Sequence, residues 1–114
     1  MARAKRRYVP PRKKPGIQNK LESRYENEVL KPLLKAGDIL SYVYEGIRVK
    51  LAKNTTYTPD FLVIFPNRVE LHECKGRWMQ AARVKIKVAA EQYPWFKWLA
   101  VQWKNKRWTT EEFN

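Results

Sequence analysis

Cysteine and histidine are nearly absent from this chain: one of each, Cys74 and His72, in 114 residues. A lone cysteine excludes an intrachain disulfide framework and a Cys-rich zinc site, and a lone histidine excludes a His-built zinc centre. Apolar runs are short, and none approaches the roughly 20 residues of a membrane span. The basic N-terminus lacks the apolar stretch of a secretory signal. These absences predict a soluble, intracellular protein with no membrane partner. Acidic residues are scarce as well, 11 against 24 Lys and Arg, for a formal net charge of +13. That imbalance favours a polyanionic partner, nucleic acid above all. Yet 5 Trp, 6 Tyr and 4 Phe are too many for a disordered basic tail. One packed domain is expected at this length.

The positive charge is concentrated at the start. Arg3, Lys5, Arg6, Arg7, Arg12, Lys13, Lys14 and Lys20 fall in the first 20 residues, with no acid among them. Pro10, Pro11, Pro15 and Gly16 interrupt that stretch. Residues 1–17 therefore read as a basic, flexible arm that touches nucleic acid, and 18–114 as the folded domain. From Asn19 to Lys35, Leu21, Tyr25, Val29 and Leu33 recur every four residues, as on an amphipathic helix. Asn19 is the expected N-cap and Gly37 follows the end, while Pro32 should kink or restart the helix. Strands are expected over 39–45, 47–51, 57–65, 68–75 and 96–103, with turns at Lys53-Asn54, Pro66-Asn67 and Lys104–Arg107. Trp78–Tyr93 reads as a helix stopped before Pro94, although its middle alternates like a strand. The core order is helix, three strands, helix, strand. That pattern predicts an α/β fold with a mixed sheet flanked by helices.

Because acids are few, their placement is informative. Proline cannot adopt the positive φ of a primed two-residue turn, so a longer, symmetric loop centred on Pro66-Asn67 is expected. Positions equidistant from that centre then oppose each other, which sets Asp60 against Glu73 on one sheet face. Directly opposed residues lie about 5 Å apart at Cβ. Lys75 projects from the same face and opposes Thr58. Two opposed carboxylates repel unless a cation or a shared proton resolves them. Mg²⁺ does so with one or two carboxylates, waters and a substrate phosphate. At about 100° per residue, Glu22 falls inside the apolar stripe of the first helix and Glu26 at its edge. A glutamate there needs a partner. Docking the helix on the face of Leu62, Ile64, Val69 and Leu71 would bring Glu22 to the metal.

Pro59-Asp60 followed by Glu73-Cys74-Lys75 resembles the PD-(D/E)xK nuclease superfamily. Over residues 18–104, "NKLESRYENEVLKPLLKAG", "TYTPDFLV" and "ELHECKGRW" are similar to the phage endonuclease I family of Holliday-junction resolvases and to related small phage nucleases. The resemblance implies a restriction-endonuclease-like core. Glu22, Asp60 and Glu73 are then metal-binding carboxylates and Lys75 the catalytic lysine, with Cys74 offering only its backbone carbonyl. It further implies Mg²⁺ (with Mn²⁺ able to substitute), four-way or other branched DNA as substrate, a homodimer, and a phage or prophage protein acting in the host cytoplasm. Two departures stand out: Cys74 replaces the family's threonine, and the stretch from Gly46 to Thr56 is shorter than the family's dimer-bridging segment. Two other readings stay open: an endonuclease or nickase of the same core without junction selectivity, and a non-enzymatic basic nucleic-acid-binding protein.

The remaining residues have plainer expectations. His72 and Cys74 point away from Glu73, His72 as a packed or capping residue and Cys74 as a small core residue. Trp95, Trp98 and Trp103 are expected in the core, and the Trp103–Trp108 segment either there or against DNA. Arg77, Arg83, Lys85 and Lys87 lie just beyond the acidic cluster and are expected phosphate contacts.

Overall fold

The computed structural model describes residues 16–77 and 79–114. The expected arm contacts Arg3, Lys5, Arg6, Arg7, Arg12, Lys13 and Lys14 lie outside the described residues. The first helix opens as expected. Asn19 Oδ1 accepts the Glu22 N–H at 2.8 Å, and Glu22 Oε1 accepts the Asn19 N–H at 2.9 Å, a reciprocal capping box. From there α1 (Lys20–Tyr25) leads through a π-helical turn (Glu26–Leu30) into α2 (Lys31–Ala36), and Gly37 ends it at φ 82°. Pro32 has no N–H to give, and the helix restarts one residue before it, with the Lys31 N–H bonded five residues back to Glu26. That wide turn shifts the buried stripe. Glu22, Tyr25 and Leu30 are buried, whereas Leu34 is exposed.

Seven strands follow among the described residues: β1 (Ser41–Tyr44), β2 (Val49–Ala52), β3 (Thr55–Tyr57), β4 (Phe61–Ile64), β5 (Val69–Lys75), β6 (Lys97–Lys104) and β7 (Arg107–Glu112). The main sheet runs β1-β4-β5-β6-β7, with β5 and β6 parallel and the other pairs antiparallel. Between β5 and β6 comes α3 (Gln80–Gln92), capped by Tyr93 just before Pro94. The expected helix–three strands–helix–strand order is therefore the main sheet's order, with two additions. One is β2–β3, a separate hairpin in which the strand expected over 47–51 pairs with Thr55–Tyr57. The other is β7, which sequence periodicity missed.

The β4–β5 register agrees with expectation: Phe61 opposes His72, Leu62 opposes Leu71 and Ile64 opposes Val69. The loop is shorter than expected. Phe65 donates to the Arg68 carbonyl at 2.9 Å, leaving only Pro66 and Asn67 between them, neither at positive φ. The expected strand over 57–65 breaks at Thr58-Pro59-Asp60, so Thr58 does not oppose Lys75 as had been inferred. Proline's missing N–H interrupts the ladder there.

Each face of the sheet carries a helix, and the first one docks opposite to expectation. Tyr25 and Leu30 pack with Phe61, Val63, Cys74 and Val101. The face of Leu71, Trp98 and Ala100 is covered instead by Ile86, Ala89 and Ala90 of α3 and by Val49 and Leu51 of β2. Burying each of the larger side chains contributes about 1.5–3 kcal/mol, so both faces stabilise the sheet. Trp98 is core as expected, but Trp95 is 74% exposed. Trp103 and Trp108 pair across β6–β7 at 5.1 Å, and Trp108 meets Tyr25 edge-on at 5.0 Å. The Trp103–Trp108 segment thus turns back onto the first helix.

Asn105 and Lys106, between β6 and β7, sit at φ 54° and 58°. This is the paired left-handed conformation of a primed hairpin turn, where the second position favours glycine. Lys106→Gly should raise stability by roughly 0.5–1 kcal/mol. The check is a higher urea midpoint at unchanged slope; no gain would place the turn's strain elsewhere.

Candidate functional site

The site forms where β4 stops and β5 continues. Asp60 directly precedes β4, and its carbonyl accepts the Glu45 N–H at 2.8 Å, which fixes the backbone. Its side chain crosses to β5, where Oδ2 accepts the Cys74 N–H at 2.8 Å. Within an extended strand the N–H and C=O of one residue point to the same edge. The Cys74 carbonyl therefore faces the Asp60 side as well. Its thiol points the other way, into the core under the first helix, and burial pushes that thiol up.

Three carboxylates from separated parts of the chain meet at this edge. Burial, then the Glu73 charge, then a hydrogen bond and charge from Glu22 push the Asp60 carboxyl up to about 9, against the lowering influence of the Cys74 N–H. The cluster therefore favours holding a proton between Asp60 and Glu22 over carrying its full negative charge. Glu22 reaches the cluster from the opposite sheet face to the one anticipated, because the strand that would separate them ends at Asp60. Glu26, at the stripe's edge, turns elsewhere and binds Gln18 at 2.7 Å and Tyr42 at 2.7 Å. The Tyr42 hydrogen bond holds Glu26 below the usual carboxylate range.

Lys75 Nζ lies 3.0 Å from Glu73 Oε2. Burial disfavours its charge, but the adjacent Glu73 carboxylate more than offsets this, so Lys75 stays protonated. Two tyrosines complete the arrangement: Tyr57 donates to Glu73 Oε1 at 2.7 Å, and Tyr44 donates to Glu22 Oε1 at 2.9 Å. Sequence reasoning missed both. The break at Pro59 decouples Tyr57 from strand alternation, and nothing in the pattern links Tyr44 to Glu22. Glu73, Lys75 and Tyr57 open onto a cavity of about 320 Å³.

His72 is buried as expected. Its Nδ1 meets the Tyr25 hydroxyl at 2.8 Å and its Nε2 meets Glu70 at 2.8 Å, with Arg68 on the other Glu70 oxygen. It belongs to a buried polar chain with Tyr25 and Glu70, separate from Glu22, Asp60 and Glu73. Among the expected phosphate contacts, Lys20, Arg77, Lys85 and Lys87 are exposed. Arg83 is instead bidentate to Glu111 at 2.7 and 2.6 Å.

Among the described residues, no three His, Cys, Asp or Glu side chains stand as a ready-made metal-holding group. The carboxylates are occupied by one another, by Lys75 and by the tyrosines. As a donor set, however, Asp60, Glu73, Glu22 and the Cys74 carbonyl are all hard oxygens, which suits Mg²⁺ rather than a soft metal. A proton held among these acids would play the part of the positive charge that a cation would supply.

This arrangement fixes a pH dependence. A carboxyl raised above its unfolded value stabilises fully below that value, near 4, and the contribution is lost as pH climbs through the folded value. Without divalent cation, stability should therefore fall between pH 5 and 8. Glu26, Glu70 and Glu111 are lowered and act in the opposite direction, but only below about pH 4.5. Asp60→Asn should flatten the decline and stabilise the protein at pH 8 by about 1 kcal/mol or more. Mg²⁺ should stabilise the native protein more at pH 8 than at pH 5. Urea unfolding at both pH values, with EDTA or Mg²⁺, measures this; a pH-independent native protein would show that Asp60 carries no extra proton.

Compared with protein-family models, curated proteins and solved structures, the chain matches none.

Proposed function

We propose that this chain is a metal-dependent DNA endonuclease with a restriction-endonuclease-like core of the PD-(D/E)xK kind, cutting branched DNA such as four-way junctions, as a homodimer. One observation supports the chemistry above all: Glu22, Asp60 and Glu73 converge at the end of β5 beside Lys75, and Glu73 and Lys75 line a cavity. A structural ion-pair cluster has no need of a third buried carboxylate. The branched substrate and the dimer rest on the family resemblance. Two sites would let both strands of a junction be cut symmetrically.

In this reading Asp60, Glu73 and the Cys74 carbonyl would hold Mg²⁺ (or Mn²⁺) with Glu22 beside them, the cluster's proton passing to solvent as the ion enters. Bound there, such an ion would supply an activated water and charge neutralisation at the phosphate. Lys75, held charged by Glu73, orients the attacking water or neutralises charge developing on the phosphate oxygens. Tyr57 fixes one Glu73 oxygen and Lys75 meets the other. Affinity comes from the basic surfaces and the arm rather than from these acids.

The test is cleavage of a four-way junction and of linear duplex in Mg²⁺, Mn²⁺, Ca²⁺ and EDTA. Cutting in Mg²⁺ and Mn²⁺ but not EDTA is expected, with the junction preferred. Asp60→Asn and Lys75→Ala should each reduce cleavage at least ~100-fold, with binding changed only a few-fold. Glu22→Gln should be far more damaging than Glu26→Gln or Glu28→Gln. Cys74→Ala should stay active, and Tyr57→Phe should lose about tenfold in rate at unchanged affinity. Full turnover by Asp60→Asn would overturn the site; binding without metal-dependent cleavage would leave a basic nucleic-acid-binding protein.

A further inference from the structure

The cavity beside the carboxylates has two kinds of wall. Glu73, Lys75 and Lys85 supply charged lining, and Tyr57, Met79, Ala81 and Ala82 supply largely apolar lining. Lys75 is committed to Glu73. Lys85, exposed on α3, has no ion pair with another described residue, so it is the cation available to an incoming phosphate. A phosphate alone leaves the apolar wall unused. That wall suits the flat, apolar face of a nucleobase, and a volume of about 320 Å³ admits one nucleotide but not a duplex. Ala81 and Ala82 hold the space open, since a larger side chain on that turn of α3 would fill it.

We infer that this cavity receives a single unstacked nucleotide next to the cleavage position, its phosphate on Lys85 and its base against Tyr57, Met79 and Ala82. The inference rests on the nuclease reading and narrows its substrate class. DNA with an unpaired nucleotide at the cut, as at a branch point or a bulge, is favoured because leaving the stack costs least there.

The experiment measures binding in Ca²⁺ at fixed salt to a duplex with one unpaired adenosine, and to the same duplex with an abasic site at that position. The native protein should bind the adenosine form roughly 5- to 100-fold tighter. Ala82→Phe should bring this ratio to about one while abasic affinity stays within about twofold. Met79→Ala, at an exposed position, should at least halve the ratio, and it decides the matter if Ala82→Phe fails to fold. Lys85→Ala should weaken both forms equally and lower the salt slope by about one. A native ratio of one, or a ratio unmoved by both wall variants, overturns the pocket. Cleavage in Mg²⁺ is scored separately. Cleavage with a ratio of one removes the pocket and keeps the nuclease; a large ratio without cleavage does the reverse.

Discussion

The bond from the Cys74 N–H to Asp60 is the constraint on which the site depends. Pro59 stops β4 while β5 runs on to Lys75, so the far end of β5 has lost its neighbour on that side. A buried N–H left without a partner there would cost about 1–3 kcal/mol. The Asp60 side chain supplies the acceptor that the missing strand would have given. Satisfying the backbone in this way holds a carboxylate against the edge of β5, where Glu73 and Lys75 already stand. Local fold and electrostatic tension therefore share one cause.

That tension is managed rather than avoided. Among the described residues no buried side-chain nitrogen or oxygen lacks a partner. Asp60 accepts the Cys74 N–H and is hydrogen-bonded to Glu22, Glu73 is bound by Tyr57 and Lys75, and Glu22 Oε1 takes both the Asn19 N–H and the Tyr44 hydroxyl. Glu22 thereby does two jobs, starting the first helix and extending the acidic cluster. Such cross-bracing fixes side chains before any ligand arrives, which is the condition for electrostatic preorganisation.

How much of this was legible in the sequence varies with the range of the interaction. The β4–β5 register could be read because Pro66-Asn67 sits at the centre of a symmetric hairpin, and alternation does the rest. The convergence of Asp60, Glu73 and Lys75 followed from that register even though the loop was shorter than expected. Asn19 and Gly37 marked the helix ends through local backbone chemistry. The docking face was not legible: both sheet faces are apolar, so alternation does not say which helix covers which. The π-helical turn at Glu26–Leu30 then altered the phase that helical spacing assumes. The β7 strand was hidden because Asn105-Lys106 makes a primed turn without its usual glycine, and Arg107–Glu112 lacks an apolar alternation. Trp95 was misplaced because aromatic character alone does not distinguish a core residue from a surface one.

The site's position also explains how a strongly basic chain can carry an acidic centre. Glu73 and Lys75 lie toward the carboxyl end of β5, which runs parallel to β6. In open α/β sheets, this is the end at which connections leave room for ligands. Opposing signs of charge are separated there: exposed Lys20, Arg77, Lys85 and Lys87 face solvent, while the three acids are sequestered at the strand edge. A phosphate drawn in by the basic surface would meet repulsion at the carboxylates unless a cation stood between them. Under the proposed chemistry this makes metal the condition for close approach as well as for reaction. Binding would then be governed by salt and catalysis by divalent cation, two dependences set by different residues of one small domain.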